Sequence, residues 1–184
     1  MHNTFKIGAR IFIWIVFFCF QIKAQTQGVK KIQSATLYNL YQVDDILQRA
    51  EQPGKKALKE LAQTGVKSIL NLRKIKKDHQ AKGTRLLLLH VGMKAGSISY
   101  NDLVSALQAI NKAPKPILVH CKYGADRTGC VVAAYNMLKH NYSKEEAIND
   151  LRNGGYGFHQ KWYPNIIALL NTLDVAQLKK DVEK

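Results

Sequence analysis

The stretch PILVHCKYGADRTG, residues 116–129, decides the fold because it joins a short apolar run to the start of a helical pattern. The apolar residues at 116–120 are typical of a strand at the centre of a parallel sheet with both faces covered. The helical pattern begins near Arg127 and continues to about His140. A buried strand that turns tightly into a helix predicts an α/β domain.

The turn at 121–126 carries residues that suit phosphate chemistry. Backbone N–H groups that converge at a helix N-terminus bind phosphate, and the same partial positive charge lowers the pKa of a thiol. Cys121 is therefore predicted to be a thiolate and a nucleophile. Arg127 can grip two phosphate oxygens through its planar fork. Thr128 can donate its hydroxyl to the departing sulfur, and His120 can fix the loop by hydrogen bonds to the backbone.

The flanking segments predict one α/β domain with a mainly parallel central sheet flanked by helices. Apolar periodicity and turn residues place extended segments at 35–43 and 45–48, buried strands at 66–72 and 86–91, and helices at 55–63, 101–112, 128–140, 143–152 and 164–173. The domain is expected to span 35–176. A flexible segment at 26–34 would precede it, and a C-terminal tail at 177–184 would follow.

The first 25 residues are typical of a secretory signal peptide. Lys6 and Arg10 precede an apolar run at 11–20, about half of the ~20 residues that span a bilayer as a helix. Cys19 lies inside this run and is interpreted as part of the signal. We expect a secreted or periplasmic protein, and the alternative is a membrane anchor formed by an uncleaved signal.

The net charge of +15 favours a phosphate-bearing partner, such as a phosphoprotein, an inositol phosphate or a lipid phosphate. It also suits peripheral contact with an anionic membrane surface. A nucleic-acid partner is not expected, because no zinc motif, groove-entering helix or aromatic-rich basic sheet is evident. The sequence does not indicate an oligomeric state.

The two cysteines outside the signal are not expected to form a disulfide, because a bond between Cys121 and Cys130 would disrupt the intervening loop. Cys130 is predicted to be a small buried helix residue. The His and Cys spacings match no zinc motif, and we expect neither a metal nor a cofactor.

The pattern HCxxGxxRTG at 120–129 resembles the signature of the protein tyrosine phosphatase superfamily, in its dual-specificity-like branch. The segments LQRAEQP (47–53), GVKSILNLR (65–73) and GGYGFH (154–159) are similar to bacterial, fungal and plant members. The resemblance implies a protein tyrosine phosphatase-like fold, a phosphocysteine intermediate on Cys121 and hydrolysis without metal. It also implies a phosphate-binding loop made of Lys122, Tyr123, Gly124, Ala125, Asp126 and Arg127.

The family pattern includes a general acid, usually an Asp on the loop before the nucleophile strand. Here that loop, 91–100, contains no carboxylate. Asp102 follows it but is expected to cap a helix. Asp126 is the better candidate, since myotubularin-like and Sac-like lipid phosphatases carry Asp at the equivalent place. The alternative for Asp126 is a structural hydrogen bond or an ion pair that orients Arg127, and Asp78 is a weaker third candidate.

Lys122 follows the nucleophile, as in many inositol-phosphate and phosphoinositide phosphatases, although a solvated lysine is an equal alternative. Tyr123 either lines the pocket or packs. Arg49 and Arg73 are predicted to be ion-pair partners, with a ligand role as the alternative. Three residues are predicted to pack the loop under the last helix, with an active-site role as the alternative: His159, Trp162 and Tyr163. The competing hypotheses are a rhodanese-like sulfurtransferase and a non-catalytic phosphate-binding module.

Overall fold

The computed structural model describes residues 29–184, so the predicted signal peptide lies outside the described residues. Six strands alternate with helices: β1 (Lys30–Lys31), β2 (Tyr41–Gln42), β3 (Leu47–Ala50), β4 (Ser68–Arg73), β5 (Leu87–Met93) and β6 (Ile117–His120). The α-helices are α1 (Lys55–Gln63), α2 (Tyr100–Lys112), α3 (Asp126–Lys139), α4 (Lys144–Asn153), α5 (Pro164–Thr172) and α6 (Val175–Val182). In this part of the chain, no helix is both long enough and apolar enough to cross a bilayer.

The strands form one sheet in the order β1-β2-β3-β6-β4-β5. The four strands from β3 to β5 are parallel, whereas β1 and β2 add an antiparallel edge. The prediction of a mainly parallel α/β sheet is confirmed. The nucleophile strand β6 lies between β3 and β4, so the loop that follows it opens at the carboxyl edge of the sheet, where α/β proteins bind ligands.

Two hydrophobic layers cover the faces of the sheet and explain why β6 is apolar from Ile117 to Val119. Ile117 and Val119 belong to the larger layer, which includes buried residues of α2 to α6. Leu118 faces the opposite layer, to which α1 contributes Leu58 and Leu61. A strand covered on both faces needs apolar side chains at successive positions, as the run at 116–120 provides.

Three predicted boundaries differ from the structure. The predicted tail at 177–184 is mostly helix α6, because Leu178 and Val182 lie one turn apart and are buried in the core. The predicted flexible segment contains β1, which pairs with β2. Much of 35–43 is a turn rather than a strand, because the Ser34 hydroxyl accepts hydrogen bonds from the amides of Thr36 and Leu37.

Candidate active site

The loop between β6 and α3 is held by hydrogen bonds to its carbonyl groups. Arg49 Nη2 donates to the carbonyl of Gly124 at 2.8 Å, and the backbone N–H of Gln52 donates to that of Lys122 at 3.3 Å. Asn39 Nδ2 donates to the carbonyl of Tyr123 at 2.8 Å. Since three successive carbonyls are anchored away from the loop centre, its amide N–H groups are left for an anion.

Gly124 is required by this geometry. Its φ of +71° lies in the left-handed region, which side chains disfavour. A Cβ at this position would also lie 2.5 Å from the carbonyl carbon of Ala50 at the end of β3. The loop therefore closes against the neighbouring strand only because residue 124 has no side chain.

Cys121 lies at the base of the loop with 1% of its surface exposed. Burial alone would raise the pKa of its thiol. The hydroxyl and backbone N–H of Thr128, the charge of Arg127 and the backbone N–H of Tyr123 outweigh burial and lower that pKa below its ordinary value. The Thr128 hydroxyl has no other hydrogen-bond partner among residues 29–184.

Arg127 lies on the first turn of α3, beside the end of β5. Its Nη1 donates to the carbonyl of Met93 at 3.5 Å. Its Nε is buried and has no hydrogen-bond partner within the described part of the chain. A buried donor without a partner costs free energy of folding. An oxyanion bound in the loop would remove that cost by accepting its hydrogen bond.

His120 is fully buried and joins the loop to a carboxylate that sequence reasoning ranked low. Its Nδ1 lies 3.1 Å from the carbonyl oxygen of Cys121, and its Nε2 lies 2.7 Å from Asp78 Oδ2. Asp78 thus lies behind the loop, although it is 42 residues away in the chain. The charged run at 74–82 gave no signal for this contact.

Asp126 begins α3, and its carboxylate contacts His159 rather than Arg127. Asp126 Oδ1 accepts the His159 backbone N–H at 3.0 Å, and both carboxylate oxygens lie 3.1 Å from His159 Nδ1. The hydrogen-bond partner of this carboxylate is therefore His159, and the suggested ion pair with Arg127 is not formed. Asp102 instead forms the expected capping box with Ser99 at the start of α2.

The ring of His159 stacks on Trp162, with centroids 5.2 Å apart and planes at 11°. Trp162 is 71% exposed, so the prediction that it packs beneath the last helix is wrong. His159 reaches Asp126 because the turn before it uses Gly155 and Gly157 at positive φ. The glycines in the sequence therefore predict the turn, but they do not predict that His159 contacts Asp126.

The fold and this loop can be compared with known proteins. The family model for the dual specificity phosphatase catalytic domain matches residues 46–161, which include every residue of the loop. The chain belongs to the dual specificity phosphatase family. The match argues against the sulfurtransferase alternative.

Two known proteins of similar sequence or fold are TpbA and Siw14. The dual specificity protein phosphatase TpbA of Pseudomonas aeruginosa strain PAO1 is 28% identical over 123 residues, which cover 65% of this chain and 56% of TpbA. The matched region thus spans little more than half of that relative. The crystal structure of P. aeruginosa TpbA superposes with a TM-score of 0.74 at 22% identity, covering 85% of this chain and 96% of that one.

The catalytic core of the PP-IP phosphatase Siw14 from S. cerevisiae, crystallised with citrate, has a TM-score of 0.70 at 26% identity. The superposition covers 82% of this chain and 94% of the Siw14 core. Together with the TpbA structure, it confirms the predicted protein tyrosine phosphatase-like fold.

Within this family framework, the loop residues Lys122 and Tyr123 both face solvent. Tyr123 is 51% exposed and lines a cleft of about 390 Å³ beside the loop, together with Tyr38, Tyr41 and Tyr156. Lys122 Nζ lies 4.7 Å from the centre of the Tyr123 ring. The two side chains therefore form the exposed rim of the loop.

The two arginines assigned to ion pairs hydrogen-bond to neutral groups instead. Arg49 is 1% exposed and stacks 3.7 Å over the Tyr156 ring while it holds the Gly124 carbonyl. Burial lowers the pKa of Arg49 to about 10. Arg73 Nη1 donates to Gln52 Oε1 at 3.1 Å. Arg49 is thus a buried support of the loop that sequence reasoning missed.

Cys130 lies about one turn beyond Arg127 along α3. Its thiol is free and fully buried, as predicted. Burial raises its pKa to about 12. Cys121 is also free, so the two sulfurs differ in environment rather than forming a pair. Among residues 29–184, no cluster of His, Cys, Asp and Glu could hold a metal ion.

Proposed function

We propose that this dual specificity phosphatase family member hydrolyses phosphomonoesters, of protein tyrosine or dual-specificity type, through a phosphocysteine on Cys121 and without metal. The observation that carries the proposal is the loop itself. A thiol whose pKa is lowered lies at its base, and the buried Nε of Arg127 has no partner within residues 29–184. A phosphate group bound in the loop would meet both.

The proposed chemistry has two displacements. The Cys121 thiolate attacks phosphorus, the bond to the ester oxygen breaks, and the alcohol leaves with a proton. Water then attacks the phosphocysteine and gives a proton to the group that protonated the alcohol, the S–P bond breaks, and phosphate departs. Arg127 and the loop amides hold the phosphoryl oxygens in both steps. The Thr128 hydroxyl stabilises the departing thiolate, in keeping with its effect on the pKa of Cys121.

We assign protonation of the leaving group to Asp126, because it is the carboxylate within the loop sequence. Both carboxylate oxygens contact His159 Nδ1, but only Oδ1 also accepts the His159 backbone N–H, so Oδ2 is the oxygen we assign to proton transfer. The alternative is that the carboxylate only ties the 154–159 turn to α3.

Replacing Asp126 with asparagine tests the assignment. We expect hydrolysis of poor leaving groups to slow on the order of 10²-fold more than that of activated aryl phosphates, because only poor leaving groups need the proton. The measurement is kcat/KM across a series of phosphate esters. Asp102→Asn, which alters a helix cap outside the loop, is the matched control. Equal losses for all esters would remove Asp126 from this role.

Two substrate classes are proposed on different observations. Tyr123 and its aromatic cleft favour aryl phosphates such as phosphotyrosine, and a TpbA variant has been crystallised with pTyr. Lys122 and the basic segment 73–85 favour inositol or lipid phosphates. Asp78 is the one acidic residue within that segment, and its side chain contacts the buried His120. The exposed surface of the segment is therefore positive. That surface also suits peripheral contact with an anionic membrane.

A panel of phosphopeptides, inositol phosphates, and phosphoinositides presented in vesicles separates the substrate classes when wild type is compared with Cys121→Ser. Phosphate release by wild type alone supports the proposal and ranks the classes. Equal, negligible release by both proteins on every substrate, with phosphate binding retained, would support the non-catalytic binding module instead. The observation behind that alternative is the loop at 91–100, which contains no carboxylate.

We also propose export from the cytoplasm, on the basis of the signal-like sequence at 1–25. N-terminal sequencing of the exported protein should begin near residue 25 or 26. An intact Met1 on a protein retained in the membrane fraction would indicate the anchored alternative. An intact Met1 in a soluble cytoplasmic fraction would contradict export.

A further inference from the structure

His120 is buried between two hydrogen-bond acceptors. Its Nδ1 lies 3.1 Å from the carbonyl oxygen of Cys121, which can only accept. Its Nε2 lies 2.7 Å from Asp78 Oδ2. Each ring nitrogen therefore needs a proton to make its contact, as long as Asp78 is ionised.

Asp78 is held in its ionised form. Its side chain is 4% exposed, and burial alone would raise its pKa, but the hydrogen bond and charge of His120 outweigh burial and lower the pKa. Gln52 Nε2 donates to the second carboxylate oxygen, and Arg73 in turn fixes Gln52. Both nitrogens of His120 thus face acceptors, and the two contacts are hydrogen bonds at the same time only when each nitrogen carries a proton.

We propose that Asp78 is a positioning residue that keeps His120 protonated and thereby favours the thiolate of Cys121. The inference rests on the proposed function, because it concerns the same nucleophile. Asp78 and His120 together are neutral, but the cation is next to Cys121 in the chain and the anion lies behind it. Cys121 therefore experiences a net positive potential.

The charged groups that face this site have different roles. Arg127 acts directly on the thiol, and Arg49 also lies close enough to Cys121 for their charges to interact. His120 faces Asp78 through Nε2. Removing the Asp78 charge would thus leave both arginines in place and alter the imidazole alone.

The test is Asp78→Asn, read by the rate at which iodoacetamide alkylates Cys121 as a function of pH. Loss of the carboxylate should return His120 to neutral imidazole, so the midpoint of thiolate formation should rise by about one pH unit. Below that midpoint, alkylation should slow about tenfold. Because alkylation needs no turnover, the result is independent of whether the protein hydrolyses phosphate.

The matched control is Asp44→Asn. Asp44 also accepts from a histidine, His140 Nε2, at 3.0 Å, but it contacts Tyr135 rather than the loop. The Asp44→Asn variant should therefore alkylate with the same midpoint pH as wild type. Asp78→Glu should restore part of the shift if the charge is what matters, and it serves as a second variant if Asp78→Asn fails to fold.

Two results would overturn the proposal. An unchanged midpoint in folded Asp78→Asn would mean that the carboxylate only holds the 74–82 segment in place. A lower midpoint would mean that His120 stays charged without Asp78, and that the carboxylate acts on the thiolate only as a repelling charge.

Discussion

Cys121→Ser is expected to reduce phosphate release on the order of 10⁶-fold, the scale on which enzymes lose activity when a nucleophile is removed. The hydrogen bonds and charges that lower the pKa of the thiol cannot make an alkoxide of serine, whose hydroxyl is far less acidic. His120 cannot act as the base for serine, since both of its ring nitrogens are committed to Cys121 and Asp78. Steady-state release of inorganic phosphate measures the loss.

Cys130→Ser is the matched control, because it makes the same atomic change in a buried thiol of α3, three residues beyond Arg127 in the chain. Its activity should stay within a few fold of wild type, although burying a hydroxyl there should lower the melting temperature. Cys121→Ser should still bind inorganic phosphate, because the loop amides and Arg127 are intact. Substantial turnover by Cys121→Ser would exclude the phosphocysteine route.

The central part of the fold could be predicted from the sequence because its causes are local. The run at 117–119 is apolar at every position because β6 is covered on both faces. Gly124 marks a turn that no other residue could make against Ala50. A thiol and an arginine six residues apart on such a turn already indicate a phosphate site. For these two residues, the structure adds the distances to their partners.

What the sequence did not predict depends on contacts between distant residues. Asp78 meets His120 across 42 positions, and Asp126 meets His159 across 33. Arg49 was predicted to form an ion pair, yet β3 lies beside β6 in the sheet, which places the side chain beneath the loop. Helix α6 was missed because its short apolar pattern becomes decisive only when α2 offers a surface to bury it.

Arg127→Lys is expected to reduce kcat on the order of 10²- to 10³-fold, in the range seen when one group that stabilises a transition state is lost. Lysine keeps the charge but loses the planar fork and the Nε donor, which is buried and unpaired among residues 29–184. A fork can follow two phosphoryl oxygens as they spread into the plane of the transition state, whereas a point charge cannot. Kinetics on an aryl phosphate over a range of concentrations separate kcat from KM.

The division between kcat and KM decides what Arg127 does. A loss mainly in kcat means that its contacts strengthen in the transition state, as a clamp requires. A rise in KM with kcat unchanged would mean that Arg127 binds substrate and transition state equally, and lysine would then be an adequate replacement. Arg152→Lys, at an exposed position of α4, controls for the exchange itself and should change neither constant. Because Arg127 also helps to lower the pKa of Cys121, the comparison is made above the pH at which the variant's thiol ionises. There, any remaining loss in kcat belongs to the fork.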